Sequence, residues 1–125
     1  MNVLGVDYGE RYIGLAVYAA KKNASFALKV IDTKKEDLIK SLEGVVEEYK
    51  ITKIAVGYPI GLNNNQTRMS GLTDEFIENV VTNILKIEST KVDERMTSVV
   101  ITKSKKDRID DISALQILET YLANV

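Results

Sequence analysis

The chain has 125 residues, of which 45% are hydrophobic and 28% are charged, with 17 basic and 18 acidic side chains. This length and composition predict a single globular domain over residues 1–125. Cysteine and histidine are both absent, which excludes disulfides, thiol nucleophiles, thiolate or imidazole zinc sites, and Ser-His or Cys-His triads. Carboxylates, amines and hydroxyls must therefore carry any chemistry, and hard cations such as Mg²⁺ or Mn²⁺ suit these oxygen donors.

The formal net charge of −1 gives the whole molecule no strong field for attracting a polyanion, although a local basic patch is compatible with it. The chain enters a predicted strand directly, with no basic leader, and no apolar run approaches the length of a membrane span. We therefore expect a cytoplasmic protein that makes no membrane contact.

The first part of the chain predicts an antiparallel meander and a helix. An apolar run over residues 2–7 breaks at Gly9 and resumes over 12–17, and residues 24–32 supply a third strand. A helix then begins from an N-cap at Asp32 or Thr33. Its apolar residues recur at helical spacing: Leu38, Ile39, Leu42, Val45, Val46 and Tyr49.

The second part alternates strands and helices. Residues 51–57 lack alternation and predict a buried strand parallel to the first, followed by a polar loop over 60–69 and a second helix over 72–85. A fifth strand is expected over 89–96. A last helix opens at Asp110, with core-facing apolar residues at Ile112, Leu115, Leu118 and Leu122. This order predicts an α/β fold with a mixed five-stranded sheet, an antiparallel meander followed by parallel strands, flanked by helices.

Three carboxylates fall at corresponding places in this predicted fold. Asp7 ends the first strand, Glu94 lies on the fifth strand, and Asp110 begins the last helix. The carboxyl ends of parallel strands meet at one edge of a sheet, where open α/β sheets bind their ligands. Carboxylates that converge there repel one another unless divalent cations neutralise them, and two such cations can clamp a phosphodiester for in-line displacement.

Each of these carboxylates also has an ordinary structural explanation. Asp7 suits a strand end, where its side chain bonds nearby backbone N–H groups. Asp110 and its neighbour Asp111 suit the first turn of a helix. Glu94 next to Arg95 suits a surface ion pair. The pattern alone therefore predicts a metal site and leaves these alternatives open.

Several segments resemble the YqgF/RuvX family, in order and over essentially the whole chain. The most specific are Gly-Val-Asp-Tyr-Gly at residues 5–9 and Val-Asp-Glu-Arg-Met-Thr-Ser at 92–98. The others are Ile-Gly-Leu-Ala-Val at 13–17, Val-Gly-Tyr-Pro at 56–59, and Ile109-Asp110 with Ala114 and residues 117–122.

The resemblance implies an RNase H-like fold, similar to Holliday junction resolvases, and a metal-dependent nuclease. Bacterial members are assigned to maturation of the 5′ end of pre-16S rRNA, and earlier assignments name them Holliday junction resolvases. Asp7, Glu94 and Asp110 fall on the acidic triad of the family. Asp110 is preferred to Asp111 because the Ile109-Asp110 step matches the family pattern.

The chain departs from the family in two places. Residues 63–67, Asn-Asn-Asn-Gln-Thr, replace a loop that usually carries a glycine, and the segment between Ser98 and Asp110 is short. Both departures concern the choice of substrate more than the chemistry. Tyr8 and Tyr12 are candidates either for stacking on bases or for ordinary packing.

The leading hypothesis is a two-metal-ion nuclease in which Asp7 bridges two Mg²⁺ or Mn²⁺ ions and Glu94 and Asp110 complete the ligand shells. The expected partners are pre-rRNA or branched DNA, and ribosomal precursor particles. Basic residues are expected to hold the phosphates. They are Arg95, Lys103, Lys105, Lys106 and Arg108, with Arg68 as a weaker candidate. A solvated loop is the ordinary alternative for the charge run from Lys103 to Arg108.

Two other functions are weighed against this one. The Asp-Tyr-Gly start also resembles the phosphate-binding start of the actin, sugar-kinase and chaperone ATPases, but those folds need a second lobe that 125 residues cannot hold. An inactive nucleic-acid-binding or scaffold domain is the other alternative. The retained carboxylates disfavour it, because a protein that only binds phosphate would gain by losing them.

Overall fold

The computed structural model describes residues 1–59, 67–93 and 110–125. The strands in these ranges are β1 (Asn2–Asp7), β2 (Tyr12–Ala19), β3 (Ala24–Asp32), β4 (Ile51–Tyr58) and β5 (Glu88–Asp93). The helices are α1 (Leu38–Glu48), α2 (Arg68–Phe76) and α3 (Asp110–Ala123). Helix α2 continues directly into a π-helical segment (Ile77–Leu85), and a 3₁₀ turn (Ala20–Lys22) joins β2 to β3.

The described strands form one five-stranded sheet in the order β3-β2-β1-β4-β5. Strand β2 is antiparallel to β1 and to β3, whereas β4 is parallel to both β1 and β5. The predicted mixed sheet, with a meander and then parallel strands, is therefore confirmed. Strands β1, β3, β4 and β5 all end on the same side of the sheet, which we call the carboxyl edge.

The two faces of the sheet carry side chains of different size. On one face, Leu4 and Val6 of β1 pack with α1, α2 and the π-helical segment through Leu42, Phe76 and Val81. The other face packs against α3 and is lined mainly by small or β-branched residues. They are Val3, Gly5, Gly14, Ala16, Ala55 and Val92. Small side chains let a helix lie close to the strands, so α3 is held directly against the sheet.

Helix α1 begins later than predicted. Its N-cap is Asp37, whose side chain accepts a 3.0 Å hydrogen bond from the Lys40 backbone N–H, so the expected N-cap at Asp32 or Thr33 is wrong. Asp32 still belongs to β3, where it pairs with Tyr12, and its carboxylate is held by Arg11. The residues between β3 and α1 form a separate tight turn.

Two further boundaries differ from the predictions. Helix α2 already begins at Arg68, because Thr67 and Ser70 form a reciprocal capping box, so the predicted loop over 60–69 ends earlier. Of the predicted fifth strand over 89–96, residues 94–96 lie outside the described part of the chain.

The buried face of α3 is rotated from the predicted one, although Leu118 is buried as predicted. Ile112 is 43% exposed, and the buried residues are Ala114, Ile117, Leu118 and Tyr121. Leu115 and Leu122 are partly buried at the border of that cluster. The rotation follows from the glycines beneath the helix, which accept Ala114 and Leu118 at close range. No helix in the described ranges has the length and apolar character needed to cross a membrane.

Candidate active site

Asp7 lies at the carboxyl edge as the last residue of β1. It is partly buried and pairs with Gly14 on β2, while the preceding residue, Val6, pairs with Val56 on β4. Residues two apart along a strand share a face, and Val3 belongs to the cluster packed against α3. The carboxylate of Asp7 is therefore on the face covered by α3, in the middle of the sheet.

Gly14 brings the start of α3 to this position. A Cβ atom on Gly14 would lie 1.9 Å from the Asp110 carbonyl oxygen and 2.8 Å from the Asp111 nitrogen, far inside van der Waals contact. The first residue of α3 thus rests directly on the strand residue that pairs with Asp7. The backbone of Asp110 therefore lies next to the strand residue that pairs with Asp7, and both predicted site residues are at the carboxyl edge.

The same close packing continues along α3. A Cβ atom on Gly5 would lie 2.7 Å from the Leu118 Cβ and 2.8 Å from the Ala114 carbonyl oxygen. Helix α3 therefore packs directly on Gly5 and Gly14. The N-terminal end of α3 points to the carboxyl edge. The peptide dipoles of a helix leave partial positive charge at that end, beside the carboxylates.

The third predicted ligand, Glu94, lies outside the described residues, as do Arg95, Lys103, Lys105, Lys106 and Arg108. The residue before Glu94 is Asp93, which ends β5 and pairs with Tyr58 at the carboxyl edge. Within the described ranges, no three acidic side chains are grouped so that they could hold a metal ion.

Helix α2 fixes the end of β4. The Tyr58 hydroxyl donates a 2.7 Å hydrogen bond to Asp74 of α2, and Lys91 of β5 forms a 2.7 Å ion pair with the same carboxylate. The Lys91 ammonium also lies 4.5 Å from the centroid of the Tyr58 ring. Lys91, followed by the Tyr58 hydroxyl, holds the pKa of Asp74 below its usual range, and Asp74 raises the pKa of Lys91. One residue further on, the Ser70 hydroxyl donates to the Pro59 carbonyl oxygen.

Helix α2 also fixes the turn that follows β1. The rings of Tyr8 and Phe76 are stacked with centroids 4.6 Å apart. Burial, with smaller contributions from the charges of Glu10 and Glu75, raises the pKa of Tyr8. Of the two interpretations of Tyr8, packing is the one that fits these contacts. Tyr12 lies under the guanidinium of Arg11, 4.8 Å from the ring centroid.

Arg68, a predicted substrate contact, lies at the start of α2 on the surface. Its guanidinium makes a two-pronged ion pair with Glu10, in which the Nη2–Oε2 distance is 2.8 Å. Hydrogen bonding to Arg68 lowers the pKa of Glu10. Arg68 therefore joins α2 to the turn after β1, and its contact with nucleic acid stays a prediction.

Sequence reasoning missed one group of cations at the carboxyl edge. Lys34 and Lys35 follow the end of β3 and are exposed, and Arg11 precedes β2 beside them. The signal was available, because a meander returns its third strand to the edge at which its first strand ends.

The fold can be compared with solved structures. The RuvC resolvase of Thermus thermophilus in complex with a Holliday junction superposes with a TM-score of 0.57 at 14% identity, over 99% of this chain and 95% of that one. The fowlpox virus Holliday junction resolvase gives a TM-score of 0.53 at 12% identity, over the whole of both chains. The protein therefore has the RNase H-like fold of this class of resolvases, as predicted.

Sequence comparison defines the family. The family model described as "RuvX: Holliday junction resolvase" matches residues 1–124. Proteins named "Putative pre-16S rRNA nuclease" are 35% identical in a Sulfurihydrogenibium species, over 97% of this chain and 89% of that protein, and 36% identical in Acetivibrio thermocellus, over 98% and 95%. The chain belongs to the RuvX family, which confirms the resemblance found in the sequence.

Proposed function

We propose that this protein is a metal-dependent nuclease that hydrolyses phosphodiester bonds of RNA in the maturation of the 5′ end of pre-16S rRNA. Membership of the RuvX family and the shared name of its relatives support this class of reaction. We further propose that residues 1–125 act as one nuclease domain, in the cytoplasm, on ribosomal precursor particles.

The observation that carries the proposal is the contact of α3 with Gly14. Through this contact the backbone of Asp110, the first residue of α3, lies on the residue that pairs with Asp7. Both residues are partly buried at the carboxyl edge, where open α/β sheets bind their ligands. Their position there supports a ligand site for a divalent cation.

Oxygen donors from carboxylates fit Mg²⁺ or Mn²⁺. In the proposed site Asp7, Glu94 and Asp110 would hold the metal. Two bound ions would supply activation of water for attack on phosphorus and neutralisation of charge on the leaving 3′ oxygen.

The chain's own residues orient this site. Gly14 sets the height of Asp110 above the sheet, and the pairing of β1 with β2 sets the position of Asp7. The proposed role of Arg95, Lys103, Lys105, Lys106, Arg108 and Arg68 is to hold phosphates on either side of the scissile bond without reading the sequence.

A Holliday junction is the second candidate substrate. The name of the family model and the resolvases that share the fold favour it. The same carboxylates would serve both substrates, because the reaction at phosphorus is the same. The substrates differ in shape, and only a direct comparison separates them.

The test is cleavage of a labelled pre-16S rRNA 5′ region and of a four-way DNA junction, each with Mn²⁺, Mg²⁺ or EDTA. The wild type is compared with Asp7→Asn. We expect RNA cleavage that requires the metal and falls by more than about 100-fold in Asp7→Asn, because changes outside the first ligand shell already cost 10- to 100-fold.

Each other outcome has a definite meaning. Cleavage of the junction alone would replace the RNA substrate by branched DNA with the same site. Unchanged cleavage by Asp7→Asn would remove Asp7 from the reaction. Binding of nucleic acid without cleavage of either substrate would favour the scaffold alternative.

A further inference from the structure

We infer that Lys34 and Lys35, in the turn between β3 and α1, form a second binding site for the phosphate backbone of the substrate, on the opposite side of Asp7 from β5. This inference rests on the proposed function, and it assigns part of the substrate footprint to residues of the meander. We call these two residues the meander lysines.

The turn that carries the meander lysines is held in one conformation. The Thr33 backbone N–H donates a 2.8 Å hydrogen bond to the Arg11 carbonyl oxygen, and the Thr33 hydroxyl donates to the same oxygen at 2.9 Å. The backbone N–H groups of Lys35 and Glu36 both donate to the Asp32 carbonyl oxygen. A fixed turn presents its side chains without first having to order its backbone, which favours binding.

The acidic groups around this turn are held chiefly by other residues, and the pKa of Asp32 is lowered most by Arg11 and least by the charge of Lys35. The Asp32 carboxylate accepts hydrogen bonds from Nε and Nη2 of Arg11, at 3.0 and 3.1 Å, and Glu36 forms an ion pair with Lys29 at 3.0 Å. Asp37 caps α1. None of the ion pairs among the described residues includes Lys34 or Lys35. The turn therefore offers two exposed ammonium groups to an external anion.

The position of the turn suits a nucleic acid bound at Asp7. Asp32 ends β3 at the carboxyl edge, and β3 lies two strands from β1 through β2. Two strand spacings amount to about 10 Å. A duplex carries one phosphate on each strand for every ~3.4 Å of helix axis, so this span covers about three base pairs of a duplex whose axis runs along the carboxyl edge.

The chain contains a matched control for the charge of this pair. Lys21 and Lys22 are also adjacent, exposed lysines on a short turn, the 3₁₀ turn between β2 and β3. Because β2 runs away from the carboxyl edge, this turn lies at the opposite edge of the sheet. Replacing either pair by glutamine removes the same charge from the whole molecule.

The experiment measures binding of a fluorescent single-stranded RNA from the pre-16S 5′ region, and of a four-way DNA junction, in EDTA at several salt concentrations. The slope of log affinity against log salt is negative. We expect it to be shallower by about 1.4 in Lys34→Gln/Lys35→Gln with single-stranded RNA, or about 0.7 for each lost phosphate contact. If the two proteins bind equally at 1 M salt, this difference in slope makes the variant bind about 25-fold more weakly than the wild type at 0.1 M salt. Lys21→Gln/Lys22→Gln should keep the wild-type slope.

A charge-conserving variant, Lys34→Arg/Lys35→Arg, should bind like the wild type, which separates charge from the identity of the side chain. If the wild type binds and cuts nucleic acid but the two double glutamine variants have equal slopes, this inference is overturned and the proposed function is not. A wild type that neither binds nor cuts either probe would overturn the proposed function as well. An effect confined to the junction would assign the meander lysines to branched DNA.

Discussion

At the scale of single residues, Gly14 determines the geometry of the candidate site. It pairs with Asp7 within the sheet, and the first turn of α3 lies on it. Any side chain at position 14 would occupy the place of the Asp110 carbonyl oxygen, 1.9 Å from the Cβ position. Gly14, which has no reactive side chain, therefore sets the position of Asp110 relative to Asp7.

Gly14→Ala is expected to damage both activity and stability. The start of α3 must move to admit a methyl group, and overpacking of this kind costs about 1–3 kcal/mol. A displacement of ~1 Å at a reacting group can cost about 100-fold in rate. Cleavage assays and denaturant unfolding measure the two effects.

The matched control is Gly44→Ala on α1, where nothing lies within 4 Å of the added Cβ position. It should leave cleavage unchanged and stabilise the protein by about 0.5–1 kcal/mol, since glycine is unfavourable inside a helix. If Gly14→Ala behaved like Gly44→Ala, the contact between α3 and β2 would not position the site.

At the scale of elements, α2 joins the turn after β1 to the end of β4. It holds the turn after β1 through Phe76 and Arg68, and it holds Tyr58 and Pro59 at the end of β4 through Asp74 and Ser70. Lys91 adds a contact from β5 to the same helix. The carboxyl edge is thereby fixed from the face opposite to α3.

The ion pair between Asp74 and Lys91 predicts a pH-dependent contribution to stability. The pKa of Asp74 is lowered in the folded protein from about 3.8, chiefly by Lys91. A lowered carboxyl pKa stabilises the fold above the unfolded pKa, and that contribution is lost as the pH falls through the folded pKa. Asp74→Asn should therefore be less stable than the wild type at pH 7, and the difference should shrink below about pH 4.

The expected difference at pH 7 is below about 1 kcal/mol, because the pair is partly exposed and the asparagine amide oxygen can still accept from Tyr58. Urea unfolding between pH 3 and pH 7 measures it. Glu75→Gln, which removes the adjacent carboxylate, is the control, since none of the described ion pairs includes Glu75. A constant difference for Asp74→Asn across this range would show that its charge contributes nothing.

At the scale of the whole molecule, the periodicity of apolar residues was enough to predict the order of strands and helices and the mixed sheet. The short apolar run at 51–57 predicted that β4 is parallel to β1, as the structure confirms. The same prediction put Asp7 at the carboxyl edge. The family motifs predicted the RNase H-like fold, which the solved resolvases share.

Other features depend on contacts between distant residues and could not be predicted from local patterns. The buried face of α3 follows Gly5 and Gly14, so the apolar Ile112 is exposed and the small Ala114 is buried. The N-cap of α1 is Asp37 and not Asp32, because the carboxylate of Asp32 is bound by Arg11 from another turn. The carboxyl-edge position of Lys34 depends on the meander bringing the ends of β1 and β3 to one edge.

The proposed function requires that Asp110 belong to a divalent metal site with Asp7 and Glu94. The most direct measurement is a titration of Mn²⁺, followed by the paramagnetic resonance signal of the free ion, for the wild type, Asp110→Asn and Asp111→Asn. The two variants remove the same charge from adjacent positions in the first turn of α3.

We expect the wild type to bind Mn²⁺, Asp110→Asn to bind it at least about tenfold more weakly, and Asp111→Asn to bind it within about threefold of the wild type. Equal affinities for the wild type and Asp110→Asn, or a wild type that takes up no Mn²⁺, would contradict the claim.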